Sequence, residues 1–122
     1  MKIMWCWRCR QEVGMLDEEE YKRIHTIYIE CAEKVKTFRK NTGSSLENTP
    51  LNDFFKPVCE EYEKITGFSG FNHNAIMHHR ISIYGQPCKC CGKPLRTPRA
   101  KMCAACGAKV TISDTFEKDS YN

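Results

Sequence analysis

Between residues 17 and 43, apolar side chains recur at alternating three- and four-residue steps, which is the spacing of one face of an α-helix. Asp17 is a suitable N-cap, and the three glutamates after it place negative charge at the positive end of the helix dipole. Gly43, after a basic final stretch, supplies a stop. The pattern predicts one long amphipathic helix whose apolar stripe consists of Tyr21, Ile24, Tyr28, Cys31, Val35 and Phe38.

The next segment predicts a shorter helical unit after the polar loop "GSSLENTP". Thr49 and Pro50 suit the N-cap and first position of a helical turn over residues 50–55. Pro57 interrupts that turn, so a separate helix is expected from about Pro57 to Thr66, ended by Gly67. Its inward face is formed by Val58, Cys59, Tyr62 and Ile65.

Two weaker patterns follow this helix. Either Asn72 or Asn74 can cap a third, short helix, which carries the histidines of "NHNAIMHH". In "ISIYG" the apolar residues Ile81 and Ile83 alternate with Ser82, which predicts a short strand.

The C-terminal third contains two copies of a cysteine motif. Each copy has two cysteines separated by two residues and followed by glycine; the copies are Cys88, Cys91 and Gly92, and Cys103, Cys106 and Gly107. A tight turn of this kind presents two sulfurs to one ion, and glycine tolerates the positive φ that the turn requires. Two such turns complete a tetrahedron of thiolates, so we expect a structural zinc there. Cys90 fits neither spacing. The ten residues between the copies allow two short strands and a turn.

The stretch "CKCCGKPLRTPRAKMCAACG" resembles the zinc ribbons of the rubredoxin-like, CxxCG type, which end many small bacterial proteins. With "HHRISIYGQPC" before it and "CWRC" near the start, the chain is similar to small bacterial proteins that include relatives of immunity proteins of polymorphic toxin systems. The resemblance implies a structural zinc and a protein partner such as a secreted toxin domain. A ribbon alone does not specify function, because nucleic-acid binders and protein adaptors both use it.

Together these patterns predict a mainly α fold: a small helical domain with a C-terminal β zinc ribbon, so an α+β, zinc-stabilised protein. The predicted helical body spans residues 1–84 and contains the first cysteine pair. The ribbon spans 85–110 and packs on the body, and residues 111–122 form a flexible tail.

Cys6 and Cys9 form half of a second metal site. Arg10 stands where the other pairs have glycine, so the turn is expected to be an imperfect copy. Completing a second zinc site needs donors from far along the chain. His78 and His79, one or both, are the candidates, with His73 beside them. The alternative is a reduced, purely structural cysteine pair.

Other residues near these motifs have a plainer explanation. Cys31 and Cys59 fall on apolar helix faces, where cysteine usually just packs. Trp5 precedes the first pair and Trp7 lies within it, and these side chains either anchor a partner or cover the metal turn against the core.

The charge of the chain is unevenly distributed. The formal net charge is +4, yet the stretch 64–113 contains basic residues and neither aspartate nor glutamate. Basic residues there offset the negative charge of zinc-bound thiolates, and they also allow contact with nucleic acid or an acidic protein. The candidate partner-binding residues are Glu18, Glu19 and Glu20 for a basic partner, and Arg96 and Arg99 for an acidic one.

The expected function is non-catalytic protein binding, in the form of immunity to a bacterial toxin, with a nucleic-acid-binding regulatory protein as the alternative. A remote alternative is an HNH-type nuclease, since "FNHNAIMHH" has the right residue types but no preceding hairpin pattern with a base histidine. No apolar run approaches the length of a membrane span, and the start lacks the apolar region of a secretory signal. A cytoplasmic, membrane-free protein with one zinc ion, or two, is expected.

Overall fold

The computed structural model describes residues 1–110, and its first element is an antiparallel hairpin. Strand β1 (Lys2–Cys6) pairs with strand β2 (Gln11–Met15) in a register that runs from Lys2 opposite Met15 to Cys6 opposite Gln11. The first sixteen residues are therefore more ordered than the sequence pattern indicates. The sequence pattern does not predict these strands, because the cysteine turn joins them in place of a recognisable two-residue hairpin turn.

Helix α1 (Glu18–Thr42) confirms the prediction of one long amphipathic helix. The carboxylate of Asp17 accepts a hydrogen bond from the backbone N–H of Glu20 at 2.8 Å, and the Glu20 carboxylate accepts one from the Asp17 N–H at 3.0 Å. This reciprocal pair satisfies two N–H groups at the helix start. At the other end Gly43 adopts a left-handed φ of 69° and closes the helix.

Three shorter helices follow: α2 (Leu51–Phe54), α3 (Lys56–Thr66) and α4 (His73–Ile76). The predicted helix from Pro57 begins one residue earlier and ends at Gly67 as expected. Thr49 is not a cap, because its hydroxyl donates instead to the carbonyl oxygen of Ser45 at 2.7 Å. Asn72 is the cap of α4, accepting from the N–H of Asn74.

The predicted strand in "ISIYG" is wrong: Ile81–Ile83 form a 3-10 helix. The chain just before it pairs instead with the end of the hairpin. The Leu16 N–H donates to the carbonyl oxygen of His79 at 2.8 Å, and the Ile81 N–H donates to that of Leu16 at 3.0 Å. This bridge places His79 beside the hairpin.

Three buried clusters hold the described chain together. The helical core contains Leu16, Ile24, Cys31, Val35, Phe55, Val58, Tyr62 and Ile76. A smaller cluster beneath the hairpin contains Cys6, Val13, Met15 and Tyr84, and a third contains Cys88, Leu95 and Cys103. The cores around the hairpin and the C-terminal cysteines are small, as expected where a metal adds stability.

The segment 85–110 is built from turns rather than strands. Its pairing consists of single bridges, Pro87 with Pro94 and Met102 with Lys109, so the two strands predicted between the cysteine pairs are not formed. Residues 1–110 thus form four helices, one two-stranded sheet and a C-terminal cysteine cluster. The tail predicted for 111–122 lies outside the described residues. No helix in the described part is both long and apolar enough to cross a membrane.

Candidate metal centres

The three cysteine pairs share one backbone turn. In residues 6–10, 88–92 and 103–107 the N–H of the fifth residue donates to the carbonyl oxygen of the first, at 2.7, 2.9 and 2.9 Å. The fifth residue has a positive φ in each: 55° for Arg10, 81° for Gly92 and 79° for Gly107. Arg10 therefore does not make the first turn an imperfect copy, contrary to the expectation from its side chain.

The structure brings together the four cysteines predicted to share a zinc. The Sγ atoms of Cys88, Cys91, Cys103 and Cys106 all lie within 4.8 Å of one another. The Cys88–Cys106 pair is 3.7 Å apart and the Cys91–Cys103 pair 3.5 Å. Bonds of about 2.3 Å to a central zinc give a tetrahedron with sulfur–sulfur edges of about 3.8 Å. The donor set fits a tetrahedral ion with no vacant position.

Backbone N–H groups favour the thiolate form of one cysteine in each pair of this C-terminal site, Cys88 and Cys103. The N–H groups of Cys91 and Cys90 lower the pKa of Cys88 to about 7, and the Cys90 N–H lies 3.4 Å from its sulfur. The N–H of Cys106 likewise lowers the pKa of Cys103. The thiolate is the form that binds metal. Cys90 contributes its backbone, while its own side chain is exposed and outside the cluster.

A second cluster joins Cys6 and Cys9 of the hairpin turn to His79. The three donor atoms lie within 4.8 Å of one another, and Cys9 Sγ is 3.2 Å from His79 Nε2. A zinc with bonds of about 2.3 Å to sulfur and about 2.0 Å to nitrogen sets that separation at about 3.5 Å. Cys6 and His79 are fully buried, whereas Cys9 is half-buried.

Tyr62 determines which nitrogen of His79 carries the proton. Its hydroxyl donates to the carbonyl oxygen of Gly14 at 2.7 Å, so its oxygen accepts from His79 Nδ1–H at 2.9 Å. The Nε2 lone pair then faces the two sulfurs. Burial lowers the pKa of His79 to about 4, which keeps the ring neutral at pH 7. A histidine that binds a metal through one ring nitrogen usually donates a hydrogen bond from the other, as His79 does here to Tyr62.

The other predicted donors lie elsewhere. His78 is half-buried beside His79 but does not join the three-donor cluster, and its carbonyl oxygen accepts from the Tyr84 hydroxyl at 3.3 Å. His73 is buried against the ring of Phe55, 4.2 Å between centroids and nearly parallel. Cys31 and Cys59 belong to the helical core.

The acidic residues proposed for partner binding are largely engaged within the chain. Glu18 accepts two hydrogen bonds from the Arg80 guanidinium, at 3.0 and 2.6 Å. Glu20 caps α1 and pairs with the amino group of Met1 at 2.9 Å. Glu19 is exposed. The acidic residues at the start of α1 thus mainly cap the helix and bind basic groups of the same chain, namely Arg80 and the amino group of Met1.

Basic and aromatic side chains form one surface where the hairpin meets the first C-terminal turn. The rings of Trp5 and Trp7 meet edge to face at 6.2 Å, Lys93 Nζ lies 3.9 Å above the Trp5 ring, and the Arg96 guanidinium is 5.7 Å from that of Trp7. We call Trp5, Trp7, Lys93 and Arg96 the Trp–Lys surface. A groove of about 330 Å³ runs beside it between β1 and residues 91–94. Arg99 is exposed and lies on the same C-terminal segment.

Sequence reasoning missed the supporting residues of the second cluster. Tyr62 was recognisable only as an apolar position of its helix, and Tyr84 carried no signal of its own. The Tyr84 hydroxyl lies 3.6 Å from Cys6 Sγ, and burial raises the pKa of Tyr84. Both tyrosines act through contacts made across the fold, which spacing along the chain does not reveal.

Comparison of the chain with models of protein families, with curated proteins and with solved structures found no match.

Proposed function

We propose that this protein is a zinc-stabilised, non-catalytic module that binds an acidic surface of another protein. Zinc is the ion that suits the C-terminal site: four thiolates in a tetrahedron are its usual structural ligand set. With every position taken by a cysteine, this metal supports the fold rather than reacting. The sulfur–sulfur distances carry this part of the proposal.

The binding part rests on the Trp–Lys surface. Tryptophan and arginine are the residue types most often responsible for binding energy at protein interfaces. Here the two indoles are half-buried, and cations lie over their faces, so the side chains are held in place before a partner arrives. A rigid surface loses less conformational entropy on binding.

The charges favour an acidic partner. Lys2 and Lys93 line the groove, where Glu12 is the one acidic residue among those described, and Arg96 lies beside Trp7. Glu18 and Glu20 are occupied by contacts within the chain. Of the two charged surfaces that the sequence leaves open, the basic one therefore has more unused binding capacity. Its positive field also speeds association with an acidic protein.

A more specific form of the proposal comes from the resemblance to immunity proteins of toxin systems. In that form the partner is a secreted toxin domain in the same bacterium, and this protein blocks its active site or substrate channel. A toxin encoded beside this gene is the first partner to test, by asking whether coexpression restores growth.

Nucleic-acid binding is the alternative function, favoured by the acid-free stretch from Lys64 onward. The two functions differ in their response to salt. Binding driven by phosphate contacts falls by orders of magnitude between about 50 and 200 mM salt, whereas a protein interface in which aromatic side chains supply part of the binding energy loses less.

The experiment compares three zinc-loaded proteins: wild type, Lys93→Glu/Arg96→Glu, and the control Lys34→Glu/Lys40→Glu, which changes the net charge equally on exposed positions of α1. Each is used to capture proteins from a nuclease-treated cell extract, and any candidate is purified and titrated by calorimetry. The proposal expects a purified partner that binds wild type and control alike and loses at least tenfold in affinity for the Lys93/Arg96 variant. Equal binding to all three proteins contradicts the surface. Tight, salt-sensitive binding of a DNA or RNA oligonucleotide, with no protein partner, supports the alternative.

A further inference from the structure

The hairpin turn and His79 bring together a second cluster of possible metal donors, which differs in kind from the four cysteines. We infer that Cys6, Cys9 and His79 bind a zinc ion through two thiolates and Nε2, and that the fourth position of this ion is open to a small anionic ligand. The inference concerns a site separate from the four-cysteine centre and does not depend on the proposed partner.

The first support is the backbone of the turn. Among the described residues, Arg10 is the one non-glycine residue with a positive φ, 55°, and a side chain is disfavoured in that backbone region. Such a conformation persists where the surroundings require it. The same conformation and hydrogen bond occur in the two turns of the four-cysteine site. The first turn is therefore built as a metal-binding turn despite an unfavourable residue.

The second support is the preparation of the histidine. The chain of hydrogen bonds from His79 through Tyr62 to the carbonyl oxygen of Gly14 leaves a single arrangement in which Nε2 is unprotonated. It points this nitrogen at the Cys9 sulfur, 3.2 Å away. A histidine that merely filled the core would not need its second nitrogen directed at two thiols.

The third support is charge. Two thiolates neutralise a divalent zinc, so the centre with its three ligands carries no net charge and can be placed in a buried setting. Binding releases the two thiol protons to solvent. The four-cysteine centre, by contrast, carries two negative charges and lies in an acid-free, basic segment.

The fourth position follows from the donor count. Among residues 1–110 no further histidine, cysteine or carboxylate joins the three donors, and a zinc with three protein ligands completes its shell with water or an added ligand. Cys9 is the half-buried member, so access is from its side. Arg8 is exposed in the same turn, and its positive charge is close enough to interact electrostatically with His78 and Tyr84. Its charge favours an anion over a neutral ligand.

Zinc content per chain tests the metal part. We expect two zinc ions in wild type purified under reducing conditions, one in Cys9→Ser and one in His79→Gln. The control is His78→Gln, the neighbouring histidine, which should keep two. Cys9→Ser removes a half-buried sulfur and should leave the helical circular dichroism intact, so it remains informative where His79→Gln fails to fold. One zinc in wild type, or two in Cys9→Ser, overturns the inference.

A second measurement distinguishes a metal ligand from a core histidine. Tyr62→Phe removes the acceptor of His79 Nδ1–H but keeps all three donors. It should weaken zinc at this centre by about 10–100-fold in a chelator competition while leaving the other zinc unchanged. Equal affinity in wild type and Tyr62→Phe contradicts the positioning role of this tyrosine and the tautomer argument.

The open position is tested with cobalt in place of zinc and azide as the anionic probe. Azide should shift the ligand-field absorption of wild type, and the shift should vanish in Cys9→Ser, where only the four-cysteine centre remains. Arg8→Gln should require several-fold more azide for half the change. An absorption spectrum that azide leaves unchanged shows a closed centre and overturns the open fourth position.

Discussion

The indole N–H of Trp7 donates a hydrogen bond to the carbonyl oxygen of Pro94 at 2.9 Å. Trp7 lies between the two cysteines of the hairpin turn, and Pro94 follows the first C-terminal turn by two residues. The bond therefore connects the two candidate metal centres through a single side chain. Because this hydrogen bond is part-buried, it is electrostatically stronger than the same bond would be in water.

Trp7→Phe should lower the free energy of unfolding by about 1 kcal/mol beyond the effect of the smaller ring, because the Pro94 carbonyl loses its donor. Trp5→Phe is the matched control. It removes the same atoms from the neighbouring ring, whose Nε1 is buried without a hydrogen-bond partner in the described residues. Chemical unfolding of both variants measures the difference. Equal losses, or a larger loss for Trp5→Phe, contradict a stabilising role for the Trp7 bond.

Arg10 provides a test of backbone strain. Arg10→Gly should preserve or raise stability by up to about 1 kcal/mol, since glycine adopts the 55° φ without a side-chain clash. Arg10→Val should lower stability by at least about 1 kcal/mol, because a branched side chain is strongly disfavoured there. Thermal unfolding with zinc present gives the ranking Gly, Arg, Val. The reverse order would show that the turn does not keep this conformation in solution.

The cysteines of the C-terminal site and Cys90 should behave oppositely. Cys88→Ser or Cys106→Ser removes one of four thiolates and should release one zinc per chain, unfolding residues 85–110 because the metal contributes much of their folding energy. Cys90→Ser should change stability by less than about 0.5 kcal/mol, as for other exposed positions. Zinc analysis and amide hydrogen exchange measure both effects. Normal zinc content and protection in Cys88→Ser contradict the metal assignment.

The pair of Glu18 and Arg80 predicts a specific pH dependence. The Arg80 guanidinium and then the Ser82 side chain lower the pKa of Glu18 to about 2, from an ordinary value of 4.5. The contribution of this pair to stability is therefore complete above pH 4.5 and is lost as the pH falls toward 2. Carbon-detected NMR titration of the Glu18 carboxyl measures the pKa. In Arg80→Gln it should rise toward 4.5, and an unchanged value would show that the pair does not form in solution.

Gly85 tests the packing of the C-terminal segment. A Cβ there would lie 2.8 Å from the Leu95 Cβ and would collide with the carbonyl oxygen of Thr97. Because a backbone oxygen cannot move aside cheaply, Gly85→Ala should lower the free energy of unfolding by about 1–3 kcal/mol. Gly43→Ala is a useful comparison, since its Cβ would meet nothing within 4 Å and the cost there comes from φ alone. Chemical unfolding that leaves Gly85→Ala at wild-type stability contradicts this packing.

Local signals in the sequence predicted the helices well. The α1 stripe, its Asp17 cap and its Gly43 stop all depend on residues a few positions apart, and the structure confirms them. The spacing of the two CxxCG copies likewise predicted which four cysteines lie together. Each of these features depends on residues that lie close together along the chain.

What could not be predicted depends on contacts between distant segments. The choice of His79 over His78 depends on the Leu16 bridge, which holds the backbone of His79 beside the hairpin. Directly after this bridge the chain turns into the 3-10 helix Ile81–Ile83, in which the Ile83 N–H donates to the carbonyl oxygen of Arg80 at 3.1 Å. For Arg10, the preference of non-glycine residues for a negative φ predicted a different backbone at this position, and the tertiary structure imposes the positive φ nevertheless.

The distance along the chain between the donors of the second cluster has a consequence for assembly. Cys9 and His79 are 70 residues apart, so a zinc bound by both closes a loop around the whole helical body. By the chain-entropy relation for crosslinks, such a loop restricts the unfolded chain by about 4 kcal/mol, more than the short loops of the four-cysteine centre. During synthesis the hairpin emerges before the helices, and the third ligand, His79, follows all four of them. An ion held by these three ligands would close that loop once the helices are made, before the cysteines of the four-cysteine centre follow, and would hold the two ends of the helical body together.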